Sequence, residues 1–379
     1  MRETPITTRE EKEPPETPSR REFIKTMAGG FFGLLAAGKI GRAEAFLEEA
    51  FRKEEKETGP RILIEIFYAP HQTREDAKGI RERIQESDVV IPEEIGWDQK
   101  LLSIYRGISG GKTPIEEYFH YLAKTRKEIE EAKDSFNMAF LEALQNSKKA
   151  VELIDVPRLH PLHLEIYAKV HEFSLNTKGG FHQLVARWKK LLQDGAELQT
   201  KREQYMLENL SVLKKSIAER KIPELAGKDK VKILLTLGSY HTMMLHQAKR
   251  SGEDATRTGK TLDIFRHIDE VSRRFIFGKE VNDTLIARTI FESLMGTILN
   301  YELGKAAPDS SERGLIERRI AESFEFDEIQ KLVENYNPNK PEATRNELLQ
   351  RMAEKGIAFP PSKKDVETWK KRRNEPSRS

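Results

Sequence analysis

The stretch Val231-Lys232-Ile233-Leu234-Leu235-Thr236-Leu237-Gly238-Ser239-Tyr240-His241 sets the reading of this chain: an apolar run stops at a glycine, and a helical pattern starts at about Thr242. A short run of this kind, bounded by a turn signal, suits a strand buried on both faces. Three similar runs precede it, Arg61 to Tyr68 (RILIEIFY), Asp88 to Ile91 (DVVI) and Lys149 to Ile154 (KAVELI). Helical patterns lie between them, at Arg74 to Glu86, Trp97 to Ile108, a long charged segment from Pro114 to Ser147, and Lys201 to Arg220. Strands alternating with long helices predict an α/β domain over residues 60–255, its sheet mixed but mainly parallel. From Val281 onward the pattern is helical only, so residues 256–379 are expected to form a mainly helical region with a basic, Pro- and Ser-containing tail from Pro360. No internal repeat of fixed short period is present.

The 379 residues are 37% hydrophobic and 34% charged, a globular composition long enough for one large or two modest cores. Lys and Arg total 65 against 62 Asp and Glu, a net charge of +3, and the signs alternate along the helical segments. Nucleic-acid binding therefore has no electrostatic support. The longest uncharged apolar stretch, Thr26 to Gly38, falls well short of the roughly 20 residues a membrane-spanning helix needs, so no permanent span is expected. With no cysteine, disulfides, thiolate nucleophiles and cysteine-ligated zinc are excluded.

In open α/β sheets ligands collect beyond the carboxyl ends of the strands. The first run carries Glu65 and ends at Ala69-Pro70-His71; the second leads into Pro92-Glu93-Glu94; the third ends at Asp155, with His160 and His163 following; the fourth ends at Gly238-Ser239-Tyr240-His241. Two imidazoles and one or two carboxylates at one mouth suit either an open-coordination divalent metal (Mn, Co, Fe or Zn) or a histidine general base acting on water. Glu65, inside an apolar strand, needs a partner for its charge. Arg202 can pair with a carboxylate or stabilise negative charge developing on a substrate oxygen. The candidate catalytic set is His241, His71, Glu65, Glu93 and Arg202, with His71, His241, Glu65 and Glu93 as the candidate metal ligands. Gly107 to Thr113 and Gly259-Lys260-Thr261 imitate a phosphate loop, but Arg106 and Asp254 stand where its first glycine is required.

The element LLTLGSYHTMMLHQAKRSG resembles the Gly-x-x-His element of the TraB/Tiki and erythromycin-esterase-like proteins, ChaN-like proteins among them. Upstream, Arg202-Glu203-Gln204-Tyr205-Met206 resembles the same group's Arg-Asp/Glu-x-x-Met helix start. Glu65 and His71 look like a diverged Gly-Glu-x-x-His element, with Tyr68 where a glycine is expected. The resemblance covers about residues 60–252 and implies a hydrolase, acting on a small-molecule or peptide substrate; the rival is a non-catalytic binding protein for haem or another small ligand.

At the amino terminus, Ser19-Arg20-Arg21-Glu22-Phe23-Ile24-Lys25 is followed by TMAGGFFGLLAAG and by Lys39 to Ala45, with Ala43-Glu44-Ala45 as a small-x-small site. This resembles a twin-arginine signal peptide over residues 1–45, which implies the twin-arginine translocase as a partner and a periplasmic or extracellular destination. Arginine pairs also occur at Arg273-Arg274, Arg318-Arg319 and Arg372-Arg373, so the flanking residues carry the resemblance.

Overall fold

The computed structural model describes residues 59–373 apart from 70, 72, 123, 171, 173–174, 176–178, 239–240, 260–265 and 307–309. The signal peptide expected over residues 1–45 lies outside the described residues. The chain forms β1 (Arg61–Ala69), α1 (Ile80–Glu86), β2 (Val89–Pro92), α2 (Gln99–Ser109), α3 (Glu116–Tyr121), α4 (Arg126–Glu131), α5 (Phe136–Leu144), β3 (Ala150–Val151) and α6 (Pro161–Val170). There follow α7 (Phe181–Ala218), β4 (Lys230–Gly238), α8 (Thr242–Arg250), β5 (Ala255–Gly259), α9 (His267–Ile276), α10 (Asp283–Ile298) and α11 (Asn300–Ala306). The last helices are α12 (Ser310–Glu322), α13 (Phe326–Glu334), α14 (Pro341–Glu354) and α15 (Lys363–Arg373).

The fold is α/β, and its five strands lie in the order β3-β2-β4-β1-β5 with every pairing parallel. The sheet, expected to be mixed but mainly parallel, is parallel at every pairing among the described residues. The apolar runs account for this, because a parallel strand flanked by crossover helices has no solvent face and needs apolar residues on both sides. One face packs Phe67, Val90 and Leu234 against Ile80, Leu101 and Phe140. The other packs Ile64, Ile66, Ile233 and Leu235 against Met206, Leu210, Leu213 and Met244. The long segment expected to be helical from Pro114 to Ser147 is three helices, interrupted where Thr125 and Ser135 accept hydrogen bonds from Glu128 N and Met138 N and so start new helices.

Helix α7 is 38 residues long and serves two cores. Its carboxyl half covers the sheet, while Phe181, Val185, Trp188 and Leu192 pack with Val271, Phe291, Phe324 and Leu332 in an all-helical core. Strand β5 crosses the boundary expected at residue 255 and extends the sheet to Gly259.

Register fixes the mouth of the sheet. Ala69 pairs with Gly238 and Pro92 with Thr236, so Glu93, His71 and His241 all leave the sheet at one end. Among the described residues no helix is long and apolar enough to cross a membrane.

Candidate functional site

Glu93 leaves β2 level with the end of β4, and its Oε2 accepts the backbone N–H of Gly238. A Cβ on Gly238 would stand 3.0 Å from that oxygen, so a bare backbone is what lets the carboxylate approach. Glu93 Oε1 accepts from Arg202 Nη2 at 2.9 Å and lies 2.9 Å from His241 Nε2. Arg202, rising from the middle of α7, also grips Asp155 with Nε at 2.8 Å and with Nη2. Arg202 is 1% exposed and Asp155 is fully buried, so this bidentate pair is shielded from solvent.

His241 begins α8, and its carbonyl accepts the Tyr68 hydroxyl at 2.7 Å. Its Nδ1 lies 3.2 Å from Gln199 Nε2, which donates to Glu203 Oε1 at 2.9 Å, and 3.6 Å from Glu203 itself. Burial pushes His241 down, but the Glu93 and Glu203 carboxylates push back harder and leave it above its ordinary value. Burial likewise opposes the charge on Glu93, yet His241 and Arg202 outweigh it and hold the carboxyl well below its usual range. Glu93 is therefore a fixed anion.

His71 stands at the mouth, its side chain 20% exposed, with Nδ1 3.7 Å from Glu93 Oε2. Its ring stacks on Phe136 with centroids 4.1 Å apart, and its Nε2 is buried without a hydrogen-bond partner. Burial against these walls lowers its pKa, with Glu93 opposing, so the imidazole is neutral. Its backbone sits at φ 57, a left-handed conformation that a non-glycine residue adopts only at a cost of order 1–3 kcal/mol, and such positions cluster at functional sites.

The structure thus gathers His71, Glu93, Arg202 and His241, with Asp155 behind them. Glu65 is not among them. It lies four positions before the end of β1, about 13 Å below the mouth at the rise of a strand. There it accepts Thr258 Oγ1 at 2.8 Å and pairs with Lys232 at 2.6 Å and Arg83 at 3.3 Å, which answers its need for a partner with a structural ion cluster. His160 and His163 bond to neighbouring backbone, at Leu162 N and Arg158 O.

Gln199 escapes the sequence reading, and Glu203 enters it only within the Arg202 to Met206 motif, not as a site residue. With Arg202 and Met206 they follow the spacing of one inward helix face, and polar residues on the buried stripe of an amphipathic helix were the available signal. Glu94 is clamped by the hydroxyls of Tyr105 and Tyr118, the latter at 2.8 Å, and burial raises its pKa to about 7.

A divalent metal does not suit this donor set. Both oxygens of Glu93 and of Asp155 already accept hydrogen bonds, both nitrogens of His241 are engaged, and a buried guanidinium stands where a cation would bind. The described residues hold no group of three or more His, Asp or Glu side chains arranged for a metal. Arg202, saturated by two carboxylates, is likewise not free to stabilise a substrate oxyanion. Compared with family models, curated proteins and solved structures, the chain matches none.

Proposed function

We propose that this protein is an exported hydrolase in which neutral His71 activates water. The observation that carries the reading is the state of His71 itself: Nδ1 faces a carboxylate held charged, while the buried Nε2 has no hydrogen-bond partner and keeps its lone pair for a water admitted with the substrate. As water oxygen attacks a substrate carbonyl carbon, Nε2 takes its proton. The imidazolium so formed lies 3.7 Å from Glu93, whose charge stabilises it, and the proton then passes to the leaving group. Arg202, Asp155 and His241 hold Glu93 in place and act through it. The resemblance to erythromycin-esterase-like proteins supports the same reaction class, and no step needs a metal.

The test is hydrolysis of a panel of chromogenic esters, lactones and peptides by the full chain, by His71→Ala and by Glu93→Gln. His71→Ala is expected to lose ~10²–10⁴-fold in kcat with its fold intact, the usual contribution of a general base. Glu93→Gln should lower the pKa read from the rate profile. Full activity in His71→Ala would refute the proposal. If instead the parent hydrolyses nothing and shows a haem absorption band that His71→Ala loses, the histidine is a ligand in a binding protein.

A further inference from the structure

A second polar recess lies in the helical region, away from the sheet. Three helix faces converge on a cavity of about 220 Å³: Glu270 and Arg274 from α9, Thr284 and Arg288 from α10, and Arg318 and Glu322 from α12. Each carboxylate there is answered twice. Glu270 accepts from Arg274 at 2.7 and 2.9 Å and from Arg318 at 2.8 Å, while Glu322 accepts from Arg318 at 2.9 Å and from Arg319 at 2.8 Å. The neighbouring buried carboxylate, Glu292, is taken up by the main-chain N–H and ring of His267. Arg288 remains. No hydrogen bond or ion pair ties it among the described residues, and its Nε is buried without a partner.

A buried donor left unpaired costs free energy, so its presence calls for a missing acceptor. An anion suits this place, because the half-buried Arg288 guanidinium has no carboxylate partner among the described residues and Arg274 and Arg318 border the same space. The start of α10, where the Asn282 side chain caps Leu285 N, turns the positive end of a 16-residue helix toward the recess. We propose that this recess binds a small oxyanion, a phosphate or a carboxylate, which Arg288 holds through a two-pronged hydrogen bond. The volume admits such a group with a few further atoms, so the natural ligand is a small phosphorylated or carboxylated molecule. Helices α9 and α10 also pack on the amino half of α7, so the recess belongs to the helical region.

Inorganic phosphate and acetate are the probes, titrated into the full chain at constant ionic strength against chloride, with thermal unfolding and calorimetry as readouts. The parent should show a saturable rise in Tm with at least one of them; a response to phosphate alone identifies a tetrahedral oxyanion and a response to acetate alone a carboxylate. Arg288→Gln, which breaks no ion pair, should bind the same anion about tenfold or more weakly, the scale of a charge-assisted hydrogen bond. Arg288→Lys, which keeps the charge and loses the fork, should fall between and carries the comparison if Arg288→Gln does not fold. No saturable response to either anion in the parent, or equal responses in parent and variants, overturns the proposal.

Discussion

Two consecutive carboxyls, Glu93 and Glu94, meet opposite surroundings. Glu93 faces a guanidinium and an imidazole and is held charged, whereas burial holds Glu94 protonated up to about pH 7 even though hydrogen bonds from two phenols favour its carboxylate. Because the folded value for Glu94 lies above its ordinary 4.5, the folded chain carries an extra proton between the two values. The stability this contributes is complete below pH 4.5 and is lost as pH rises to about 7. Glu94→Gln keeps an acceptor for Tyr105 and Tyr118 and cannot ionise. It should match the parent near pH 4.5, exceed it by roughly 1–3 kcal/mol at pH 8, and flatten this slope in urea unfolding. Parallel pH profiles for the two proteins would refute the assignment. For Glu93 the sign reverses: its contribution is present above its ordinary value and disappears as acid protonates it.

Helix α7 carries Gln199, Arg202 and Glu203 in one half and Trp188 in the other. Trp188 is fully buried in the helical core, and Trp188→Ala should cost about 3–5 kcal/mol. Since one unbroken helix serves both cores, urea unfolding of this variant should remain a single transition at a lower midpoint. Two resolved transitions, the sheet retaining its parental midpoint, would show that the halves unfold apart. The same element marks how far the sequence could be read. Its carboxyl half was visible as Lys201 to Arg220, but the amino half is amphipathic toward a different core, and the two faces do not merge into one periodic signal. Strands β1, β2 and β4 were legible because burial on both faces demands apolar runs. Strand β5, Ala-Thr-Arg-Thr-Gly, was not, because it pairs on one side only and its outward residues are exposed. His71, Glu93, Arg202 and His241 were readable from strand ends and motif spacing. The misplacement of Glu65 followed from the same apolar strand, which shows that a charge is buried but not that Lys232 and Arg83 neutralise it.

At the level of the whole chain, the proposed route to its destination is export in the folded state. Replacing Arg20 and Arg21 by Lys should stop export and leave the folded domain in the cytoplasm; unchanged export of that variant, measured by fractionation, would refute the signal. The strand order bears on the same step. The central strand, β4, comes fourth in the chain, and it separates β1 from β2. A ribosome that has made only the first three strands has therefore produced one isolated ribbon and one two-strand fragment, with no sheet to join them. The hydrophobic faces of β1 and β2, which end at Ala69 and Pro92, must wait until Lys230 for their shared neighbour to begin, a long-range closure of the kind that makes folding slow. All five strands of such a chain are on hand only once Gly259 of its 379 residues has been made, and a pathway that accepts cargo after folding, rather than threading it unfolded, spares it from repeating that closure outside the cell.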